Sequence, residues 1–188
     1  MSKRTSLADA LHQAGDLAAA ERLFVEAERM QAERWPEYPV LYSFRGYEYC
    51  DLLLSQGKAA EVLHRAASAL VIAERNRWLH GMGLDHLSLG RAYPHNSPEA
   101  ADQLDQAVAY LRRAGTLDLL PRALLARGTE HDLEEVRKIA TRSGMRLFLA
   151  DYHLAKGNIE EAEKLINETG YHRRDKELAE LKARSATA

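Results

Sequence analysis

Cysteine is nearly missing from this chain: Cys50 is the single one in 188 residues. That excludes an intrachain disulfide and leaves no thiolate pair for a metal. Charge of one sign is missing too. With 26 Lys and Arg against 28 Asp and Glu, the net charge is −2, so no global field draws in nucleic acid or anionic lipid. The Arg pairs at 112–113 and 173–174 are too small to reverse that balance. No apolar run approaches the ~18 residues of a membrane span. "MSKRTSLADAL" opens with basic residues but lacks the apolar stretch of a secretion signal, which makes the cytoplasm the expected compartment. Prolines number five and gather in short breaks. β-Branched and aromatic residues never alternate with polar ones for long enough to write a strand.

Catalytic patterns are equally scarce. There is no phosphate-cradling glycine loop, no His-Glu-x-x-His helix and no Gly-x-Ser-x-Gly elbow. The glycines of "GMGLDHLSLG" (81–90) have no strand before them and read as chance spacing. His12 stands between Asp9 and Asp16, and His131 has Glu135 four residues on. Such neighbours form surface ion pairs at least as readily as metal sites, and solvated or core-edge histidine is the expectation. No cofactor is implied.

What the chain does have is helix. Apolar content of 46% beside 29% charge describes a folded domain rather than a disordered one. Ala, Leu, Glu and Arg dominate, and apolar residues recur every three or four positions, as in Leu17, Ala20, Leu23, Phe24 and Ala27. Three segments share one pattern around a glycine: "HQAGDLAAAERLF" (12–24), "LSQGKAAEVLHRA" (54–66) and "LAKGNIEEAEKLI" (154–166). Each glycine is placed to end one helix in the left-handed region and let a second begin. "WPEYPV" (35–40) and "PHNSP" (94–98) are longer breaks. Pro98 and Pro121 are expected just inside helix starts, and Ser143-Gly144 is expected to end a helix.

Aligned on the turn glycines, the copies agree further. A small residue stands seven positions before each turn (Ala8, Cys50, Ala150), and Ala20, Val62 and Ala162 stand five after. Small residues there let antiparallel helices approach closely, so Cys50 reads as a small core hydrophobe. The first two glycines are 42 residues apart, a spacing typical of stacked helical repeats.

The arrangement resembles the tetratricopeptide repeat. Leu7-Ala8, Leu11, Gly15, Ala20, Phe24 and Ala27 carry that resemblance in the first copy, Leu53, Gly57 and Ala69 in the second, and Leu89, Gly90 and Tyr93 in "LSLGRAY" (87–93). It implies an all-α fold: a superhelical solenoid of about five antiparallel helix pairs with a C-terminal capping helix, forming one domain over 1–188. Clear repeats fall near 2–34, 43–76 and 143–170, degenerate units over 79–142, and the capping helix over 171–185. Segments such as "LDHLSLGRAY" and "ETGYHRRDKEL" are similar to arrays in bacterial proteins, where they often accompany a signalling nucleotidase or another effector domain.

The resemblance also implies a function: non-catalytic binding of a protein or peptide in a concave groove. The groove would be lined by Thr5, Asp9, His12, Tyr47, Asp51, Leu84, Leu87, Arg91, Leu147 and Asp151. An aspartate follows the small residue in three units (Asp9, Asp51, Asp151), while the third unit along the chain has Arg91 there. Repeated acids suit a basic or amphipathic partner. The competing reading gives these aspartates solvent or local Arg and Lys pairs, each worth under ~1 kcal/mol. The aromatics of "WPEYPVLYSFRGYEY" (35–49) are expected to fill the core between the first two hairpins, with Tyr42 or Tyr47 left as an exposed anchor. Two other classes stay open: a regulatory module acting with a separate effector, and a small enzyme using His153, Asp151 and Arg146.

Overall fold

The computed structural model describes residues 2–186, and every regular element among them is helical. Eleven α-helices follow in order: α1 (Ser2–Gln13), α2 (Leu17–Arg34), α3 (Ser43–Ser55), α4 (Ala59–Arg75), α5 (Leu79–Ala92), α6 (Pro98–Ala114), α7 (Leu120–Arg127), α8 (Glu130–Ser143), α9 (Arg146–Ala155), α10 (Ile159–Thr169) and α11 (Asp175–Ala186). They form five successive pairs and a final helix, and their contacts gather into two compact units. One comprises Met1–His12 and Asp16–Thr116, the other Gln13–Gly15 and Leu117–Ala188.

The breaks in the sequence mark the helix ends. Gly57 and Gly157 have φ of 75° and 74°, and the residues after them donate N–H bonds back to Leu53 and His153 carbonyls at 2.9 and 2.8 Å. This is the six-to-one closure of a Schellman turn, which needs a left-handed residue. The same closure, Trp78 N–H to Ala73 at 2.9 Å, ends α4, but its left-handed residue is Arg77 at φ 56°. Ser97 accepts from the Ala100 N–H at 3.1 Å and Pro98 opens α6, while Gly144 at φ 67° closes α8.

In the first unit Phe24 stacks on Tyr49 with ring centroids 5.0 Å apart, inside a core that includes Ala8, Ala20, Cys50, Leu52, Leu53 and Val62. α5 is buried on almost every side and makes its most extensive packing with α6. The glycines expected to be chance spacing have a packing reason. A Cβ on Gly83 would come within 2.6 Å of Leu111, and one on Gly90 within 2.8 Å of Leu104. They lie two turns apart on one face, so α6 can seat leucines directly on the α5 backbone.

The second unit packs α7 to α8, α8 to α9, α9 to α10 and α10 to α11. Its core holds Ala150, Ala162, Ile166, Tyr171 and Leu178. The capping helix begins later than expected, at Asp175, because a 3₁₀ turn (His172–Arg174) intervenes and lets Arg174 reach Asp151. α8 starts with a reciprocal cap: Asp132 N–H donates to Thr129 Oγ1 at 3.2 Å, and Thr129 N–H donates to Asp132 Oδ2 at 3.3 Å. Arg127 grips the same carboxylate with bonds of 2.9 and 2.6 Å. Burial opposes ionisation of Asp132, but the Arg127 and Thr129 bonds outweigh it and hold the carboxyl below its usual range.

Two substitutions probe these ends. Arg77→Gly removes a side chain from a left-handed position and should raise stability by about 0.5–1 kcal/mol in urea unfolding. Asp132→Ala strips the cap and strands Arg127, and should cost about 2–4 kcal/mol near neutral pH. That loss should begin to shrink as pH falls below about 4, where the unfolded chain's carboxyl takes up a proton, and keep shrinking until the folded carboxyl, held lower, is protonated as well.

Candidate functional site

Most of the positions expected to line a groove are buried or ion-paired. Thr5, His12, Tyr47, Asp51, Leu84 and Leu87 are at most 3% exposed, so none can touch a partner in this structure. The reason on α3 and α5 is steric: α3 packs against α2, α4 and α5, and α5 against α3, α4 and α6. His12 is a core residue rather than a solvated one, with Nε2 3.2 Å from Ser55 Oγ. Leu147 packs against the cluster around Ala150 and Ile166. Asp9 is half-buried on α1.

Two of the three repeated aspartates, Asp51 and Asp151, pair with arginines, but across elements rather than locally. Asp51 is paired with Arg91 at 2.7 Å, joining α3 to α5 at equivalent positions of successive hairpins, and Arg91 reaches the Tyr47 hydroxyl at 3.5 Å. The second unit repeats this chemistry. Asp151 accepts from Arg174 Nε at 2.7 Å and from the Tyr171 hydroxyl at 3.0 Å, and the Arg174 guanidinium lies 5.5 Å from the Tyr171 ring centroid. An Asp–Arg–Tyr set therefore ties one helix to the next element in each unit. Asp51 and Asp151 offer no free acidic row, which removes the basis for a basic partner.

Unpaired charge and exposed aromatics meet elsewhere. A cleft of about 300 Å³ lies where α3 and α5 begin, lined by Tyr42, Ser43, Phe44, Arg45, Trp78 and His80. Its walls are built from the chain upward. The loop before α3 is held down by Gln31 Nε2, which donates to the Tyr38 and Val40 carbonyls at 3.0 and 2.6 Å. The Leu41 N–H donates to Glu28 Oε2 at 2.8 Å, and Glu28 is itself gripped by Arg65 at 2.6 and 3.0 Å. Gly46 lets this loop lie on α3, since a Cβ there would stand 2.5 Å from the Leu41 carbonyl oxygen. Tyr42 then stacks on Trp78 with centroids 5.9 Å apart and planes 15° from parallel, and Tyr38 tilts against Tyr42 at 5.2 Å.

Phe44 and Trp78 keep 39% and 37% of their surface exposed. Arg45 is half-buried and has no carboxylate partner among the described residues. His80 Nε2 lies 3.3 Å from Ser43 Oγ. Neither α3 nor α5 has a side-chain cap, so the backbone N–H groups of two helix starts border the cleft. Ser43, at φ 57°, joins Arg77 as the second non-glycine residue in the left-handed region. Both flank the cleft, and such strain persists only where surrounding contacts hold it. Of the two aromatics expected as exposed anchors, Tyr42 is half-buried in the cleft wall and Tyr47 is core. Arg45, Trp78 and His80 were missed because their association depends on two helix starts far apart in sequence.

The histidine-centred alternative does not assemble. His153 Nδ1 is 3.3 Å from Asn158 Nδ2, Asp151 is taken by Arg174 and Tyr171, and Arg146 pairs with Glu168. Burial raises the Cys50 thiol to about 12, so it stays protonated and is not a nucleophile at neutral pH. No group of three or more His, Cys, Asp or Glu among the described residues is disposed to hold a metal ion. No described helix is long and apolar enough to cross a membrane.

Beside Cys50, α5 buries Asp85 to 2% exposure, with no hydrogen-bond partner for Oδ2. Burial raises its carboxyl to about 8. No family model, curated protein or solved structure matches the chain.

Asp85 gives a pH-dependent outcome. Its folded pKa lies above its unfolded one, so the folded state keeps a proton that the unfolded chain releases, and stability falls between about pH 4 and about pH 8. Asp85→Asn should match the wild type near the acid limit and exceed it by on the order of 2–4 kcal/mol at the alkaline one. Urea midpoints across that range decide it. A gap that stays constant with pH would mean that the carboxyl is solvated or paired.

Proposed function

We propose that this chain is a non-catalytic protein- or peptide-recognition module, a solenoid of tetratricopeptide-like hairpins. The packing order supports the repeat reading. α3 contacts α5, α7 contacts α9 and α9 contacts α11, as the first helices of stacked hairpins would. The small residues Ala8, Cys50 and Ala150 are buried at matching positions.

The observation that carries recognition is the cleft at the starts of α3 and α5. There a Trp, a Tyr, a Phe and an Arg without a carboxylate partner meet at the surface. Trp, Tyr and Arg are the side chains that dominate binding energy at interfaces. The stacking of Tyr42 on Trp78 fixes their rings before any partner arrives, which lowers the ordering cost of association. Recognition is assigned to this cleft rather than to the row from Thr5 to Asp151, because most of that row is buried or paired.

Selection from a random peptide library on the immobilised chain tests the reading. Peptides should be enriched whose binding falls about tenfold or more on Trp78→Ala, with unchanged helical circular dichroism. Absence of enrichment would refute recognition, and enriched peptides indifferent to Trp78 would move it off the cleft.

A further inference from the structure

We propose that the cleft takes an acidic peptide segment of a partner protein, one carboxylate side chain beside one aromatic or large aliphatic side chain. This deepens the recognition reading and rests on it.

The charge of the cleft selects the sign of its occupant. Its six lining residues include Arg45 and His80 and no carboxylate. Four other half-buried arginines are spent on acids, Arg65 on Glu28, Arg91 on Asp51, Arg127 on Asp132 and Arg174 on Asp151, whereas Arg45 has no such partner among the described residues. A half-buried guanidinium without such a partner has its strongest available bond in an incoming carboxylate, which it can hold through two parallel N–H donors. The helix starts act in the same direction. Ser43, Phe44 and Arg45 form the first turn of α3, Leu79 and His80 begin α5, and neither end is capped by a side chain. Their N–H groups and the positive ends of two helix dipoles favour a negative group. The ends are close together, since a Cβ on Gly81 of α5 would stand 3.9 Å from Ser43 Oγ of α3.

The remaining walls fix the second part of the ligand. Phe44 and Trp78 present apolar surface, and Tyr42 backs Trp78 in a stacked pair. About 300 Å³ holds one large side chain with a neighbouring carboxylate and is at the lower limit for an enclosed small-molecule site. A peptide side chain entering from solvent meets those dimensions, with its backbone left outside.

Fluorescence anisotropy on the full chain with four fluorescein-labelled peptides tests this. The first carries a glutamate–phenylalanine–glutamate core between glycine–serine flanks. The others replace the glutamates by glutamine, the glutamates by lysine, or the phenylalanine by alanine. The acidic aromatic peptide should bind with a Kd in the micromolar range and the other three about tenfold or more weakly. Arg45→Glu should weaken the acidic peptide by a similar factor and strengthen the lysine one. This variant places an acid in the first turn of α3, which favours the helix, and circular dichroism checks that it folds.

Glutamate and glutamine peptides binding within about twofold of each other, or indifference to Arg45→Glu, would overturn the acidic assignment. Binding that is still lost on Trp78→Ala would then leave recognition at the cleft standing. No binding by any of the four peptides would also overturn the assignment, and library selection separately decides the recognition reading.

Discussion

Eight of the ten helix-to-helix junctions among the described residues depend on one residue able to stand in the left-handed region after a helix; the proline-containing loops after α2 and α5 are the exceptions. Gly15, Gly57 and Gly157 do so at the pattern that repeats through the sequence, and Gly115, Gly128, Gly144 and Gly170 do so at other helix ends. Each lets the carbonyls of a last helical turn be met by the N–H groups that follow, so the next helix can start within a few residues and fold back. Where the chain uses Arg77 in that role, the turn sets Trp78 directly at the start of α5. The cleft thus lies where the general rule of the fold is met by its least suitable residue.

A second constraint is electrostatic. Several half-buried arginines are matched by acids, and three of the matches join elements distant in sequence: Arg65 to Glu28, Arg91 to Asp51, Arg174 to Asp151. Such pairs contribute less to net stability than their geometry suggests, since each charge gives up water to enter them. They do define which helix faces which, because breaking a pair leaves a charge without solvent. Against those pairs stands Arg45, a half-buried guanidinium with no carboxylate partner among the described residues, set beside exposed rings.

The helices and their order were legible in the sequence because their causes are local. Apolar periodicity, turn glycines, Ser97-Pro98 and Pro121 each act within a few residues, and most helix ends from α1 to α10 fall close to those cues, the junction at Arg77 being an exception. The sites were less legible because their causes are distant. Asp51 looks like a groove acid until Arg91, forty residues on, is known to reach it. Gly83 and Gly90 look idle until Leu111 and Leu104 are set against them from the next helix. Leu84 and Leu87 were expected in a groove, and both are buried because α5 is packed from α3, α4 and α6 at once. The cleft joins Arg45 to Trp78 across two helix starts, a relation no local pattern records.

Asp85 has a consequence for the heat of folding. A carboxyl that keeps its proton when buried and loses it when exposed makes unfolding near neutral pH a proton-releasing reaction. The buffer then absorbs that proton and adds its own ionisation heat to the transition. The unfolding enthalpy of this chain is therefore partly a property of the solution around it, and it differs between phosphate and an amine buffer even when the free energy does not.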